Sequence, residues 1–439
     1  MWTVFLAIWN LQVIRQPSQQ IEGSPHVSFH FAQHDFISPA KNLDFFALHA
    51  KLLGQSHRLA ISGPEYSCRA HDWLVYTYCI YTIKLHTGGR AENAGNAGVS
   101  AASIYNEIVA VPLLDKFGRP ITDLRISITD RCNYKCVYCR TGNEGALYGD
   151  LPFSDYLRMA RVMAGMGIKK IRLTGGEPLL RSGVIEFVRE LAQLRDLNGE
   201  PLDLALTTNG HLLADMAQPL KDAGLQRITV SMDAVDPDRF TRITRVPNGY
   251  DNVLAGIRAA RRAGLWPVKV NCVLMRGFNE DQIIPFGMFA REEGVIVRFI
   301  EFMPLEEDRT WTPETVVTLD EIVQRMAEYR PLIEIPHARS ETARRYHFDD
   351  GIGEIGIIAP VSHPFCGHCS RIRITSDGKI RTCLFSVWDH DLHSHMRHGA
   401  SDEELGEYIR GVVQKKEERH HIGEPDFVPA SRTMVHIGG

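Results

Sequence analysis

The sequence predicts an α/β fold, a partial barrel of six parallel strands whose mouth is closed by a C-terminal region. Three observations predict this fold. Short apolar segments alternate with helical segments between residues 124 and 302, polar motifs follow several of these segments, and the pattern breaks into shorter pieces from about Pro336. Alternating strands and helices favour a parallel sheet with right-handed crossovers. In such barrels ligands bind at the carboxyl ends of the strands.

The predicted elements follow one another in a regular order. Strands are expected at residues 124–129, 170–174, 204–208, 227–231, 268–275 and 295–302. Helices are expected at residues 156–166, 184–194, 212–223 and 251–263. We therefore divide the chain into an N-terminal extension, a barrel and a C-terminal region, at residues 1–111, 112–335 and 336–439.

Length and charge narrow the possible classes of protein. A chain of 439 residues is long enough for two domains, or for one barrel with an appended segment. The formal net charge of −4 argues against a nucleic-acid-binding protein, for which a basic excess is expected. No stretch approaches the roughly twenty apolar residues of a membrane-spanning helix, and the apolar start lacks the basic segment of a signal peptide. We therefore expect a cytoplasmic protein that binds neither membranes nor nucleic acid.

The first 110 residues differ from the rest of the chain. They are rich in histidine and aromatic residues and show no sustained helical or strand periodicity. No methionine occurs between Met1 and Met159, although the recognisable domain begins near Pro112. Two explanations stay open. Either translation starts downstream, for example at the valine codon of Val109, or the segment is a real extension with little ordered structure.

A first group of cysteines directly follows the first predicted strand. Cys132, Cys136 and Cys139 have the spacing C-x3-C-x2-C. Three thiolates so close together can bind three irons of a [4Fe–4S] cluster and leave the fourth iron open. The alternatives are a structural zinc site, which normally has four ligands, and unrelated thiols. An open iron can chelate S-adenosylmethionine (SAM), and this spacing, with Tyr138 before the last cysteine, resembles the defining motif of the radical SAM superfamily.

Three further features support a SAM site. The sequence TGGEP, residues 174–178, follows the second strand, and its two glycines would let the backbone approach the methionine part of SAM. Ser231 ends one strand and Met303 follows another, and both are candidates for contacts with the ribose and adenine. An ordinary loop serine and a core methionine remain the alternatives for these two residues.

A second group of cysteines lies in the C-terminal region. Cys366, Cys369 and Cys383 have the spacing C-x2-C-x13-C. A second [4Fe–4S] cluster with an open iron is favoured over zinc, and we expect His368 to turn outward rather than to ligate. Arg371 and Arg373 would flank this cluster with charges suited to phosphate or carbonyl groups. The alternative is a solvated basic strand over residues 371–375.

Taken together, these segments resemble the GTP 3′,8-cyclases, the MoaA family of molybdenum-cofactor biosynthesis. The resemblance covers residues 112–439, and its segments are residues 125–139, TGGEP, LTTNG, VSMDA, VRFIEFM, the second cysteine group and the terminal Ile437-Gly438-Gly439. One departure is that Arg140-Thr141 follows Cys139, where the family has Met-Pro. This departure puts the local contacts of that loop in doubt, but not the class of reaction.

The resemblance implies a role for each matching residue. The first cluster would be held by Cys132, Cys136 and Cys139, and the second by Cys366, Cys369 and Cys383. SAM contacts are implied at Tyr138, Gly176, Ser231 and Met303. GTP contacts are implied at Arg125, Arg172, Thr207, Lys269, Arg371 and Arg373, with weaker contacts at Lys170 and Arg298. Catalytic roles are implied for Gly438, Gly439, Arg371 and Arg373. We expect the cationic side chains to point from strand ends into the barrel mouth, where they would repel one another without a polyanion.

The resemblance also implies the reaction, a lyase reaction of the radical SAM type. Reductive cleavage of SAM would yield a radical that removes the 3′-hydrogen of GTP, and C3′ would then bond to C8 to give (8S)-3′,8-cyclo-7,8-dihydroguanosine 5′-triphosphate. Implied partners are a flavodoxin- or ferredoxin-type electron donor, the cyclic pyranopterin monophosphate synthase that uses the product, and a second copy of the chain. Two alternatives remain, another radical SAM enzyme with an auxiliary [4Fe–4S] cluster and a non-enzymatic zinc protein.

Overall fold

The computed structural model describes Phe5–Leu6, Leu11–Gln12 and residues 112–139, 146–306 and 308–438. The chain divides into two compact units, Met1–Val99 and Ser100–Gly439. In the first unit, strand β1 (Phe5–Leu6) pairs antiparallel with β2 (Leu11–Gln12). The interpretation of residues 1–111 falls almost wholly outside the described residues, as do those of Arg140-Thr141 and Gly439.

The second unit contains the predicted parallel strands, each paired with the next along the chain. These are β3 (Asp123–Ser127), β4 (Lys170–Thr174), β5 (Asp203–Thr208), β6 (Arg227–Ser231), β7 (Val268–Leu274) and β8 (Ile296–Glu301). The predicted bounds of β4 and β6 match the observed ones, and those of the other four strands differ by one or two residues at the ends. The prediction of a six-stranded parallel barrel is therefore confirmed.

Helices cover the outer face of these strands. They are α1 (Phe153–Ala164), α2 (Val184–Leu191), α3 (Leu213–Asp222), α4 (Pro237–Thr244), α5 (Gly249–Arg262), α6 (Ile283–Glu292) and α7 (Leu319–Tyr329). The sequence predicted α1, α2, α3 and α5, whereas α4, α6 and α7 are additional. Outward-facing strand residues such as Leu124, Ile171 and Val270 are fully buried beneath these helices and form the core. Among the described residues, no helix has the length and apolar character needed to cross a membrane.

The barrel is partial because β3 and β8 do not pair with each other. Strand β12 (Arg371–Ile374) lies parallel to β3, and β11 (Glu354–Ile358) lies parallel to β8. The C-terminal region thus extends the sheet at both edges. Its remaining elements are β9 (Leu332–Ile335), β10 (Arg344–Phe348), β13 (Lys379–Arg381), β14 (His390–Asp391), α8 (Leu392–Arg397), α9 (Asp402–Val413) and α10 (Met434–Ile437). The boundary at residue 336 separates the paired strands β9 and β10 and stays a prediction.

The close packing of α3 against α5 yields a stability prediction. A Cβ atom at Gly256 of α5 would lie 2.7 Å from the Gly210 carbonyl oxygen and 3.0 Å from the Leu213 Cβ. We expect Gly256→Ala to lower the free energy of unfolding by roughly 1–3 kcal/mol through overpacking. Gly411→Ala is the matched control, because nothing lies within 4 Å of its Cβ position in α9. Denaturant unfolding should show the control unchanged or stabilised by up to about 1 kcal/mol, and equal effects of both changes would contradict this account.

Candidate active site

A cavity of about 720 Å³ extends along the inside of the barrel. It is bounded at one end by the first cysteine group and at the other by residues that immediately precede strands, among them Lys169 before β4 and Pro267 before β7. Its wall brings together the predicted residues Arg125, Cys132, Cys136, Tyr138, Cys139, Lys170, Arg172, Gly176, Thr207, Ser231, Lys269, Arg298, Met303, Cys366, Cys369, Arg371, Arg373 and Cys383. Residues that are far apart in the sequence therefore line one cavity.

The first cysteine group lies in a loop fixed by backbone hydrogen bonds. The amide groups of Lys135 and Val137 donate to the carbonyls of Thr244 and Ile243 at the end of α4, at 3.3 and 3.0 Å. The sulfur of Cys132 accepts from an amide group at 3.4 Å. No disulfide forms among the seven cysteines of the described residues. Three thiols that face one cavity, with an amide donor to sulfur, fit the ligation of an iron–sulfur cluster.

The TGGEP turn packs directly against this loop. The Gly176 amide donates to the Thr129 carbonyl at 2.7 Å, and a Cβ at Gly176 would overlap the Arg131 carbonyl oxygen. Only glycine allows this close approach of two backbone segments. The next residue, Glu177, is buried, and it accepts from the Thr208 hydroxyl at 2.7 Å and from an amide at 2.6 Å. Burial raises the pKa of Glu177 to about 7, although these hydrogen bonds oppose the shift. Sequence reasoning assigned Glu177 no role.

A buried acid orients the predicted SAM contact Tyr138. The Tyr138 hydroxyl donates to Asp233 Oδ2 at 2.7 Å, and the Val273 amide donates to Asp233 Oδ1 at 2.8 Å. Burial raises the pKa of Asp233 to about 6 against these two hydrogen bonds. Sequence reasoning missed Asp233, although it lies within the VSMDA segment. The available signal was an acidic residue between the apolar Met232 and Ala234, just after the end of β6.

The position of the cationic side chains corrects one expectation. They were expected to project from the ends of the strands, but Arg125 lies in the middle of β3 and Lys170 begins β4. The strands pair in register, so that Arg373 of β12 lies beside Arg125, and Arg125 lies beside Arg172. The physical reason is that a partial barrel has no fully packed apolar interior. Its inward-facing positions can therefore carry long charged side chains along the whole strand.

Threonine hydroxyl groups accept hydrogen bonds from some of the arginines inside the barrel. Arg172 donates to the hydroxyls of Thr207 and Thr229, both at 3.1 Å, and Arg298 donates to Thr229 at 3.3 Å. The Nε atoms of Arg125 and Arg298 are buried without a hydrogen-bond partner. Buried guanidinium donors that lack partners favour the binding of an external acceptor.

Lys269 also shows the electrostatic strain among these cations. Its pKa is lowered to about 8, first by burial and then by repulsion from the nearby cations Arg298, Arg227, Arg172 and Lys170. Acidic partners are present at the same end, since Asp123 lies 3.5 Å from Lys170 and Asp203 pairs with Arg227. The cations outnumber them, and the arrangement fits a bound polyanion.

The second cysteine group lies on the same cavity wall. Arg371 Nη2 donates to Cys369 Sγ at 3.2 Å, and Arg119 Nη1 donates to the Cys366 carbonyl at 2.8 Å. Burial disfavours the Cys369 thiolate, but the charges of Arg371 and Lys416 lower its pKa to about 6. The thiolate is the form that binds metal, so these residues also fit cluster ligation. His368 is exposed and does not line the cavity, as predicted.

The tail ends against the carboxyl ends of β3 and β4. Arg373 Nη1 donates to the Gly438 carbonyl at 2.8 Å. Gly438 has a φ of +76°, and a Cβ there would overlap the Thr174 hydroxyl and lie 2.9 Å from the Ser127 Cβ. Both its backbone conformation and its surroundings therefore require glycine. Gly439 lies beyond the described residues.

Comparisons with known proteins agree with this arrangement. Residues 126–290 match the model of the radical SAM superfamily, and residues 295–422 match that of Molybdenum Cofactor Synthesis C. The chain is 43% identical over 321 residues to the GTP 3′,8-cyclase of Acidothermus cellulolyticus, covering 70% of this chain and 88% of the relative. The chain belongs to the GTP 3′,8-cyclase family.

Other members of the GTP 3′,8-cyclase family are similarly close. The Corynebacterium glutamicum GTP 3′,8-cyclase is 40% identical over 370 residues, covering 80% of this chain and 98% of the relative. The Xanthomonas campestris GTP 3′,8-cyclase is 41% identical over 311 residues, covering 69% and 90%. The prediction of a radical SAM enzyme with this family resemblance is confirmed, whereas the role of each site residue stays a prediction.

The pKa of Lys269 predicts how anion binding depends on pH. A bound polyanion stabilises the ammonium form of Lys269 and therefore raises its pKa above the value of about 8 in the free protein. The affinity for the anion should accordingly be highest below about pH 8 and fall as the pH rises through that value. Relative to Lys269→Arg, whose guanidinium stays charged, affinity for inorganic triphosphate should fall about tenfold from pH 7 to pH 9. Calorimetric titration measures this ratio, in which the ionisation of the anion cancels. Identical pH profiles for the two proteins would show that Lys269 does not titrate with binding.

Proposed function

We propose that the protein is a radical SAM GTP 3′,8-cyclase, which converts GTP to (8S)-3′,8-cyclo-7,8-dihydroguanosine 5′-triphosphate in the first step of molybdenum-cofactor biosynthesis. One observation carries this proposal. A single cavity, lined by buried and half-buried cations, joins two groups of three cysteines. Membership of the GTP 3′,8-cyclase family supports the same substrate and reaction.

The first cysteine group and its neighbours would form the SAM site. Cys132, Cys136 and Cys139 would hold the cluster. When bound, the cluster and SAM supply a reducing electron and the 5′-deoxyadenosyl radical that abstracts hydrogen from GTP. The Gly176 turn would accommodate the methionine part of SAM, and Tyr138, held by Asp233, would orient its adenosine. Ser231 and Met303 line the same cavity and would complete the SAM contacts.

The rest of the cavity would bind GTP. Its triphosphate would contact the cations toward the amino-terminal ends of the strands, at Lys170, Arg172, Lys269 and Arg298. The bound phosphates would relieve the repulsion between these cations. Arg125, Thr207, Arg371 and Arg373 would hold the ribose and guanine beside the second cluster, bound by Cys366, Cys369 and Cys383. This placement positions the nucleotide between the two clusters and excludes water by burial.

Family membership also supports more specific partners. We infer that a flavodoxin- or ferredoxin-type protein supplies electrons and that the cyclic pyranopterin monophosphate synthase uses the cyclised product. A cytoplasmic location and a homodimer complete this proposal. The competing function, another radical SAM enzyme with an auxiliary [4Fe–4S] cluster, shares the first cysteine motif but does not require the cation-lined cavity.

Isotope transfer tests the substrate and the reacting position together. With dithionite, SAM and GTP deuterated at C3′, the enzyme with reconstituted clusters should form 5′-deoxyadenosine carrying one additional deuterium. Mass spectrometry measures this transfer. Deuterium from another position, or no transfer from GTP, would overturn the proposed reaction.

Cysteine variants give this test its control. Changing Cys132, Cys136 and Cys139 together to alanine should abolish deuterium transfer and remove about half of the bound iron, as expected for one of two four-iron clusters. Cys272→Ala is the matched control, because Cys272 is a buried thiol outside both groups. It should retain both iron and transfer.

The tail generates a separate prediction. Deletion of Gly438 and Gly439 should leave folding, iron content and GTP affinity nearly unchanged but lower product formation about a hundredfold or more, because the reacting groups lose their alignment. Gly438→Ala keeps the length of the chain and should also impair turnover, since its Cβ would meet Thr174 and Ser127. Liquid chromatography measures the cyclised product. Full turnover by the shortened enzyme would show that the last two residues are an ordinary frayed end with no role in the reaction.

A further inference from the structure

A buried arginine near the end of the chain makes contacts that the proposed function does not use. The Arg432 residue is 5% exposed. Its Nη1 and Nη2 atoms donate to the two carboxylate oxygens of Asp377 at 2.8 and 2.9 Å, and its Nε donates to Asp389 Oδ2 at 2.6 Å. A planar guanidinium bound on two edges is fixed in orientation as well as in position.

A second arginine extends this network. The side chain of Arg381 is fully buried, and its Nη1 atom donates to Asp389 Oδ1 and to the Ser431 hydroxyl, the latter at 3.3 Å. The network thus holds two guanidinium groups and two carboxylates, with the residue before Arg432 bound as well. Removal of one member of such a buried network leaves a charge without its partner.

The network connects the tail to the segments that carry both cysteine groups. Asp377 lies in the turn between β12 and β13, and Asp389 follows the loop that begins at Cys383. The Tyr148 ring stacks on Arg432, with its centroid 3.9 Å from the guanidinium carbon. The Tyr148 amide in turn donates to Asp130 Oδ2 at 2.8 Å, immediately before the loop of the first cysteine group. Arg432 therefore contacts segments that are adjacent in sequence to both cysteine groups.

A short rigid path leads from Arg432 to the end of the described chain. The single turn of α10 buries Val435 and Ile437, and the Gly438 amide donates to the Met434 carbonyl at 3.1 Å. Gly438 then accepts from Arg373 at 2.8 Å. A displacement of Arg432 would be transmitted through this turn to Gly438.

We propose that Arg432 is a positioning residue that fixes the depth at which Gly438 enters the barrel mouth. It acts through the tail and touches no reacting group. The proposal rests on the proposed function, in which the tail aligns the reactants. Since the tail is clamped to the segments of both cysteine groups, its position depends on both of them being in place.

Hydrogen exchange in the full-length enzyme tests the clamp directly. Arg432→Met and Asp377→Asn should each speed amide exchange in residues 433–438 by about tenfold or more, with exchange in β3 to β8 unchanged. Arg432→Lys, which keeps the charge but not the planar fork, should give an intermediate rate. Arg291→Met is the matched control, since Arg291 makes a bidentate pair with Asp350 at 2.9 and 2.7 Å on the outside of the barrel. It should leave the tail unchanged.

Product analysis then tests the consequence. In Arg432→Met, 5′-deoxyadenosine should still form while the ratio of cyclised product to 5′-deoxyadenosine falls about tenfold, with the Kd for GTP unchanged. Tail exchange equal to wild type, faster exchange throughout the barrel, or a normal product ratio despite a mobile tail would each overturn the proposal. The exchange measurement needs no GTP, and wild type lacking cyclised product would instead contradict the proposed function.

Discussion

Like charges held side by side inside the barrel are the constraint on which this structure depends. Arg373, Arg125 and Arg172 lie in register on three neighbouring parallel strands. Such strands are about 4.8 Å apart, and like charges directly opposite one another destabilise a sheet. Burial adds to the repulsion, and it lowers the pKa of Arg373 well below its ordinary value. The sheet can hold this row because its outward face supplies an apolar core, while a bound polyanion would relieve the inner face.

The C-terminal region contributes to this row of like charges and does not merely cover the barrel. Strand β12 joins the open edge of β3 and brings Arg371 and Arg373 into the barrel in register with Asp123 and Arg125. Cys369 lies two residues before Arg371, so the strand that completes the row of charges also carries the second cysteine group to the cavity. One strand pairing thereby fixes the distance between the cations and the second group.

The bounds of the strands were predicted well from the sequence, whereas hydrogen bonds between residues on different strands were not. Strand β4 was predicted with its observed bounds, because polar and apolar residues alternate in Lys170–Thr174 between a helix and a glycine turn. The site residues followed from spacing and family resemblance. That these side chains line the barrel along whole strands, and not only at the strand ends, did not follow, because it depends on the space that the partial barrel leaves inside. The roles of Glu177 and Asp233 were missed as well, because their partners lie on other strands.

The side chain of Arg373 belongs to the row of arginines and also binds the C-terminal tail. Arg373 donates to the Gly438 carbonyl and at the same time lies beside Arg125 in the sheet. A carbonyl oxygen carries partial negative charge, so the docked tail offsets part of the repulsion on Arg373. Any anion that approaches Arg373 changes the same balance of charge. Tail docking and anion binding therefore involve one guanidinium group. A neutral carbonyl offsets far less of the repulsion than a polyanion does, so we expect the affinity for GTP to change little when the tail is removed.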